Sequence, residues 1–256
     1  MHDIHMATVS REFAECWSAA GRHLDAQMQG ASNSWLKATL SPPFLEHLSF
    51  RLGNQLFFIR LEDAQGSEIV PGSREGLLAI ARGCRGVACL MPMKRIGETW
   101  CPAQAGWGLV RLADGIPVVP PDLVTDELIE MTDWELQDFA VQIVRHQLEG
   151  AGRRMMSWQG NPAVDPSLWF VGDDGPEWVL VRAARWPAPS PGLPANAGQV
   201  AERCAAIGRR GHFASLVVAS GRQQSAAADS EMVITLWRGH QLAVEYAGLR
   251  SVPPAH

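Results

Sequence analysis

The chain has 256 residues, 46% of them apolar and 19% charged, with a formal net charge of −5. That excludes a disordered or fibrous chain and leaves room for one large domain or two small ones. The acidic balance gives no support to a protein that grips duplex nucleic acid through its phosphates, although such a partner stays open.

The first segment, MHDIHMATVSREFAECW, lacks the apolar centre of a secretory signal. Apolar runs such as LFFI and LVV are far too short to span a bilayer. The expected location is cytoplasmic, in a protein of bacterial type, with no membrane association. Cys16, Cys84, Cys89, Cys101 and Cys204 are then reduced, and their odd number argues against a disulfide framework.

In chain order, a helix is expected over REFAECWSAAGRHLDAQ. HLSFRLGNQLFFIRLED reads as a hairpin turning at Gly53-Asn54. SREGLLAIARGC is a helix, GVACLMPM a strand, and GWGLVRLADGIPV a hairpin through Asp114-Gly115. A boundary falls in VPPDLVTDE, where prolines meet the capping box Thr132-Asp133-Trp134-Glu135. The amphipathic helix WELQDFAVQIVRHQLEG follows, then a polar loop SWQGNPAVDP. Next comes a hairpin of Ser167 to Val171 and Glu177 to Trp186 around GDDG. QVAERCAAIGRR is a helix, HFASLVVAS a buried strand, and MVITLWRGHQLAVEY a last hairpin turning at Arg238-Gly239-His240.

The two halves read alike. Arg60 in FFIR maps to Arg182 in VLVR (offset 122), Gly86 to Gly211 (offset 125) and Asp114-Gly115 to Arg238-Gly239 (offset 124). The expected class is therefore α/β (α+β): two tandem α-β-β-α-β-β-β halves, residues 1–122 and 123–256, related by internal duplication in a pseudo-twofold arrangement. Ten tryptophans against one tyrosine suit either core packing or a partner-binding face, with packing the first choice.

The run from Glu135 to Ser220, including VRHQLEGAGRRMMSWQGNPAVDPSLWFVGDDGPEWVLVRAARWP, resembles the core of the PD-(D/E)XK, or restriction-endonuclease-like, superfamily: a helix, a β-hairpin, a helix and a strand. The resemblance covers about a third of the chain directly. It implies an aspartate near the start of the hairpin and an acid-x-lysine pair on its second strand. Together they hold a divalent cation that activates water for phosphodiester cleavage. Asp165 matches the first acid and Arg182 the lysine place, but the acid place two residues earlier is Leu180. Using Arg185 puts Ala183 there, and in the first half Arg60 is preceded by Phe58. Arginine also stays protonated and transfers no proton.

The preferred function is non-catalytic: a binding or accessory protein with degenerate nuclease-like halves and a protein partner, without cofactor or metal. Arg60, Arg182, Trp178 and Trp186 are its candidate binding residues. The arginines are expected to pair inside the fold with Glu135 or Asp138, to stack on Trp178 or Trp186, or to hold an anion. One alternative is a metal-dependent nuclease using Mg²⁺, its site assembled from Glu135, Asp165, Glu177 and Arg182, with Asp173, Asp174 or Asp138 as further acids. Another is an immunity-like or chaperone-like protein that masks a partner. A zinc site of Cys84, Cys89 and Cys101 with His47 or His23 is disfavoured, because no CxxC knuckle is present.

Overall fold

The computed structural model describes residues 10–29, 33–37, 47–66, 72–222 and 234–253. The chain divides into two compact units, Met1–Glu127 and Leu128–His256. Each is a mixed sheet with helices.

In the first unit, α1 (Arg11–Gln27) is capped by the Ser10 hydroxyl. It is followed by β1 (Asn33–Lys37), β2 (Leu48–Leu52) and β3 (Gln55–Asp63), then α2 (Arg74–Gly83) and β4 (Val87–Ile96). β5 (Thr99–Pro102), β6 (Leu109–Arg111), β7 (Pro117–Val118) and the single turn α3 (Pro120–Leu123) complete it. The sheet order is β1-β2-β3-β4-β6-β7, with β5 also paired to β4. β1, β2 and β3 run antiparallel, and β3 and β4 run parallel. Strand alternation sends Phe57, Ile59 and Leu61 to one face, where they pack with Phe13, Trp17, Ala20 and Leu24 of α1. α2 packs on β3 and β4. The segment after α3 belongs to this unit. Val124 lies over Gly53, and the Asn54 amide donates to Thr125 Oγ1 and to the Glu127 carbonyl.

In the second unit, α4 (Asp133–Gly150) opens with both hydrogen bonds of the expected capping box. β8 (Arg154–Trp158), β9 (Leu168–Gly172) and β10 (Gly175–Arg185) follow. After them come α5 (Ala197–Cys204), β11 (Arg210–Ser220), β12 (Leu242–Tyr246) and β13 (Arg250–Ser251). The order is β12-β11-β10-β9-β8, with β13 also on β11. β8, β9 and β10 are antiparallel, β10 and β11 parallel, β11 and β12 antiparallel. Val179, Val181, Ala214 and Leu216 pack under α4 (Ala140, Val141, Val144). Trp178, Leu180 and Phe213 pack under α5 (Ala197, Val200, Ala201). Each fully buried large aliphatic side chain contributes about 1.5–3 kcal/mol.

The described elements are of the expected mixed class, and most expected elements are present. β5, α3 and β13 are additions to the expected elements, and three further details differ. Each unit has an extra strand between its first helix and its hairpin, β1 and β8. Both are five-residue edge strands with a register shift, so neither carries a clean alternation to read. α5 ends at Cys204 rather than Arg210, because the chain must turn at Gly208. There a side chain would strike the Pro176 carbonyl. The last hairpin does not form as expected: Trp237 bridges Glu130, and β12 pairs with β11. Part of its first arm, residues 232–233, lies outside the described residues. In the first unit, by contrast, it is the strand before the turn, β6, that pairs with β4.

The parallel strand pair of the second unit depends on one close approach. A Cβ on Gly211 would sit 2.2 Å from the Trp178 ring, which is 1% exposed. Gly211→Ala is expected to lower stability by about 1–3 kcal/mol, the usual cost of overpacking, with an unchanged urea m-value. Urea unfolding followed by tryptophan fluorescence checks this.

Candidate functional site

The hairpin and the loop before it assemble the site. β9 and β10 are joined by the two-residue turn Asp173-Asp174, with Gly172 opposite Gly175 and Leu168 opposite Val179. Beyond that ladder the Ser167 backbone N–H donates to the Val179 carbonyl, one residue out of register, and Asp165 stands in the loop just before β9. The Arg182 guanidinium donates to both Asp165 oxygens, Nη1 to Oδ1 at 2.9 Å and Nη2 to Oδ2 at 2.6 Å. It also donates to the Val181 carbonyl. Asn196, the residue before α5, donates its amide to Asp165 Oδ2 at 3.2 Å. The loop that presents Asp165 is tied by the Gln159 side chain, which donates to the Val164 carbonyl and accepts from the Asn161 backbone. Strand, loop and helix entry are thereby joined at one carboxylate whose side chain is 8% exposed.

In the first unit the hairpin turns through Gly53-Asn54, with Leu52 opposite Gln55 and its ladder ending at Leu48 opposite Ile59. Arg60, the next residue of β3, donates to Glu62 Oε1 at 2.7 Å and to the Gly72 carbonyl at 3.2 Å, while Arg74 of α2 holds Glu62 bidentately. Both arginines thus pair inside the fold, next to the start of the following helix. Their carboxylates are Asp165 and Glu62, rather than the expected Glu135 or Asp138.

The remaining candidates lie apart from this pair. Glu135 closes the capping box on Thr132 and takes a bidentate contact from Arg238, at 2.8 and 2.9 Å. Glu177 is buried under the hairpin tip and bonded to His212 Nε2 at 2.6 Å and Arg210 at 3.2 Å. Asp174 reaches Arg210, and Asp173 is held by Arg153. The hydrogen bond and charge of Arg153 keep the Asp173 carboxyl below its ordinary range. Trp178 is in the core, and its indole N–H donates to the Gly208 carbonyl. Trp186 is half-buried, its backbone N–H donating to Val218. Among the described residues six tryptophans are buried: Trp17, Trp100, Trp107, Trp158, Trp169 and Trp178.

These residues do not fit a cation. The first acid is saturated by Arg182 and Asn196, and the acid place, Leu180, is fully buried beneath α5. Among the described residues no group of three or more His, Cys, Asp or Glu side chains is arranged to hold a metal.

Residues 134–252 match the model of a Domain of unknown function (DUF8840). That match runs from the first turn of α4 to just past β13, so its limits fall inside the second unit and take in both partners of the Asp165–Arg182 pair. No curated protein and no solved structure matches the chain.

Two measurements follow from the geometry. Asp165→Ala leaves a three-quarters buried guanidinium without its carboxylate and is expected to cost about 1–3 kcal/mol, below the range for fully buried pairs because Arg182 is partly solvated. In a double-mutant cycle with Arg182→Met the coupling should reach about 1 kcal/mol or more in urea unfolding. The cysteines are all free, and burial pushes the Cys89 thiol up to about 12 and the Cys204 thiol up to about 11. At pH 8 an aromatic disulfide reagent should therefore label the half-buried Cys101 first. Cys16, Cys84, Cys89 and Cys204 should react only on unfolding.

Proposed function

We propose that the chain is a non-catalytic binding or accessory protein built from two degenerate nuclease-like halves that arose by internal duplication. What supports the duplication is the shared order of elements: helix, three antiparallel strands, helix, parallel strand. The offset of 122 between β3 and β10 also carries the inward residues Phe57 and Ile59 onto Val179 and Val181, and Arg60 onto Arg182. The second hairpin is longer by two residue pairs at its tip.

The observation that carries the functional reading is the bidentate Asp165–Arg182 pair beside a buried Leu180. In the superfamily this chain resembles, the corresponding places hold a metal-binding acid, an acid and a lysine. Here the first acid is neutralised, the second is apolar, and the cation neither releases nor accepts a proton. Glu135 and Glu177 are engaged elsewhere, which speaks against the unconventional nuclease site. The remaining function of such a scaffold is recognition, in which a masking role of immunity or chaperone type is one form.

Calorimetric titration with Mg²⁺ and Mn²⁺, alongside plasmid nicking with the full chain, tests this reading. Neither a saturable heat nor nicking above a buffer control is expected, and Asp165→Ala should change neither. Metal-dependent nicking that disappears in Asp165→Ala would overturn the proposal.

A further inference from the structure

The second unit carries a cleft of about 380 Å³ on the α5 side of β11, where Ser215 is the strand partner of Arg182, and its reading is independent of the nuclease-like one. Its construction follows from a bulge at the sheet edge. Leu216 pairs with Tyr246 on β12 and Phe213 with Arg250 on β13, so Ala214 and Ser215 face three residues, Ala247, Gly248 and Leu249. Gly248 takes φ +89, the left-handed conformation that lets the chain arch away.

Alternation places Phe213, Ser215 and Val217 on one face of β11. Arg250, opposite Phe213, lies with its guanidinium 5.3 Å from that ring, and Glu245 stands opposite Val217. Both are exposed. Neither makes an ion pair with the other or with any other described residue, so the cleft has an unspent cation at one end and an unspent anion at the other. Between them Ser215 donates to the Pro191 carbonyl at 2.7 Å, which obliges Ser190 to donate to Ser215 across their 2.7 Å contact. Ser190 Oγ is left with lone pairs only, an acceptor in the cleft wall shared with Glu245.

We propose that this cleft binds a short zwitterionic chain of dipeptide size, with its ammonium at Glu245 and Ser190 and its carboxylate at Arg250. The spacing selects the length. Phe213 and Val217 are four residues apart on one strand, about 13 Å, and strand side chains stand roughly perpendicular to the sheet. Subtracting about 3 Å for a charged contact at each end leaves about 7 Å. Two extended residues span that distance and one does not. Val217 supplies the apolar floor for a side chain.

Titration of the full chain with alanyl-leucine, followed by calorimetry and by heteronuclear NMR, tests the site. Saturable binding with shifts at Ser190, Ser215, Glu245 and Arg250 is expected. Alanyl-leucine amide, N-acetyl-alanyl-leucine and free leucine should each bind at least about tenfold more weakly, as should alanyl-leucine to Glu245→Gln and to Arg250→Gln. Both positions are exposed, so the variants should retain the parent's circular dichroism and melting temperature. The proposal is overturned if alanyl-leucine does not saturate, if blocking either terminus makes no difference, if leucine binds as tightly as the dipeptide, or if folded variants bind like the parent.

Discussion

The second unit turns on an ion pair between β10 and the loop that leads into β9. Arg182 on β10 donates to both oxygens of Asp165 in that loop. A one-residue slip would carry Arg182 from the α5 face into the α4 core among Val179 and Val181, at the cost of an unpaired buried charge. The pair holds the loop 159–166 and the entry of α5 to the central strand.

The first unit also has an arginine on its central strand, Arg60, and its charge is balanced by Glu62 two residues along the same strand. In both units the guanidinium ends beside the start of the helix on that face, through the Gly72 carbonyl in one and through Asp165 and Asn196 in the other. An amphipathic arginine suits this position: its stem covers apolar sheet while its fork reaches polar groups at the rim. The constraint is the need to close the sheet rim at the helix entry, and two different carboxylates meet it.

Much of this was legible in the sequence. The Thr132–Glu135 capping box, both tight-turned hairpins and the apolar stripe of α4 are local patterns, and local patterns survive folding. The internal pairing of the arginines follows from the cost of an unpaired charge. Their partners were less accessible: Asp165 meets Arg182 from a loop, seventeen residues away, that carries no periodic signal. The edge strands β1 and β8 escaped because a bulge breaks the period-two signal in each. The expected last hairpin fails because the residues on both sides of Arg238-Gly239 are equally strand-like. The choice between them is made by tertiary pairing of Trp237 with Glu130.

One of the ten tryptophans, Trp178, finds a physical explanation in the parallel strand pair. Each unit begins its second parallel strand beside a glycine with an aromatic ring laid over it: Phe58 lies 2.6 Å from where a Gly86 Cβ would be, and Trp178 2.2 Å from that of Gly211. The two rings lie at different distances along their strands from the glycine: Trp178 is the strand partner of Gly211, whereas Phe58 is the partner of Ala88, two residues after Gly86. A ring can fill the space above such a glycine from either of two positions on the same face. Trp178 is the larger filler, and its N–H needs an acceptor that phenylalanine does not. The Gly208 carbonyl, exposed by the early end of α5, provides it.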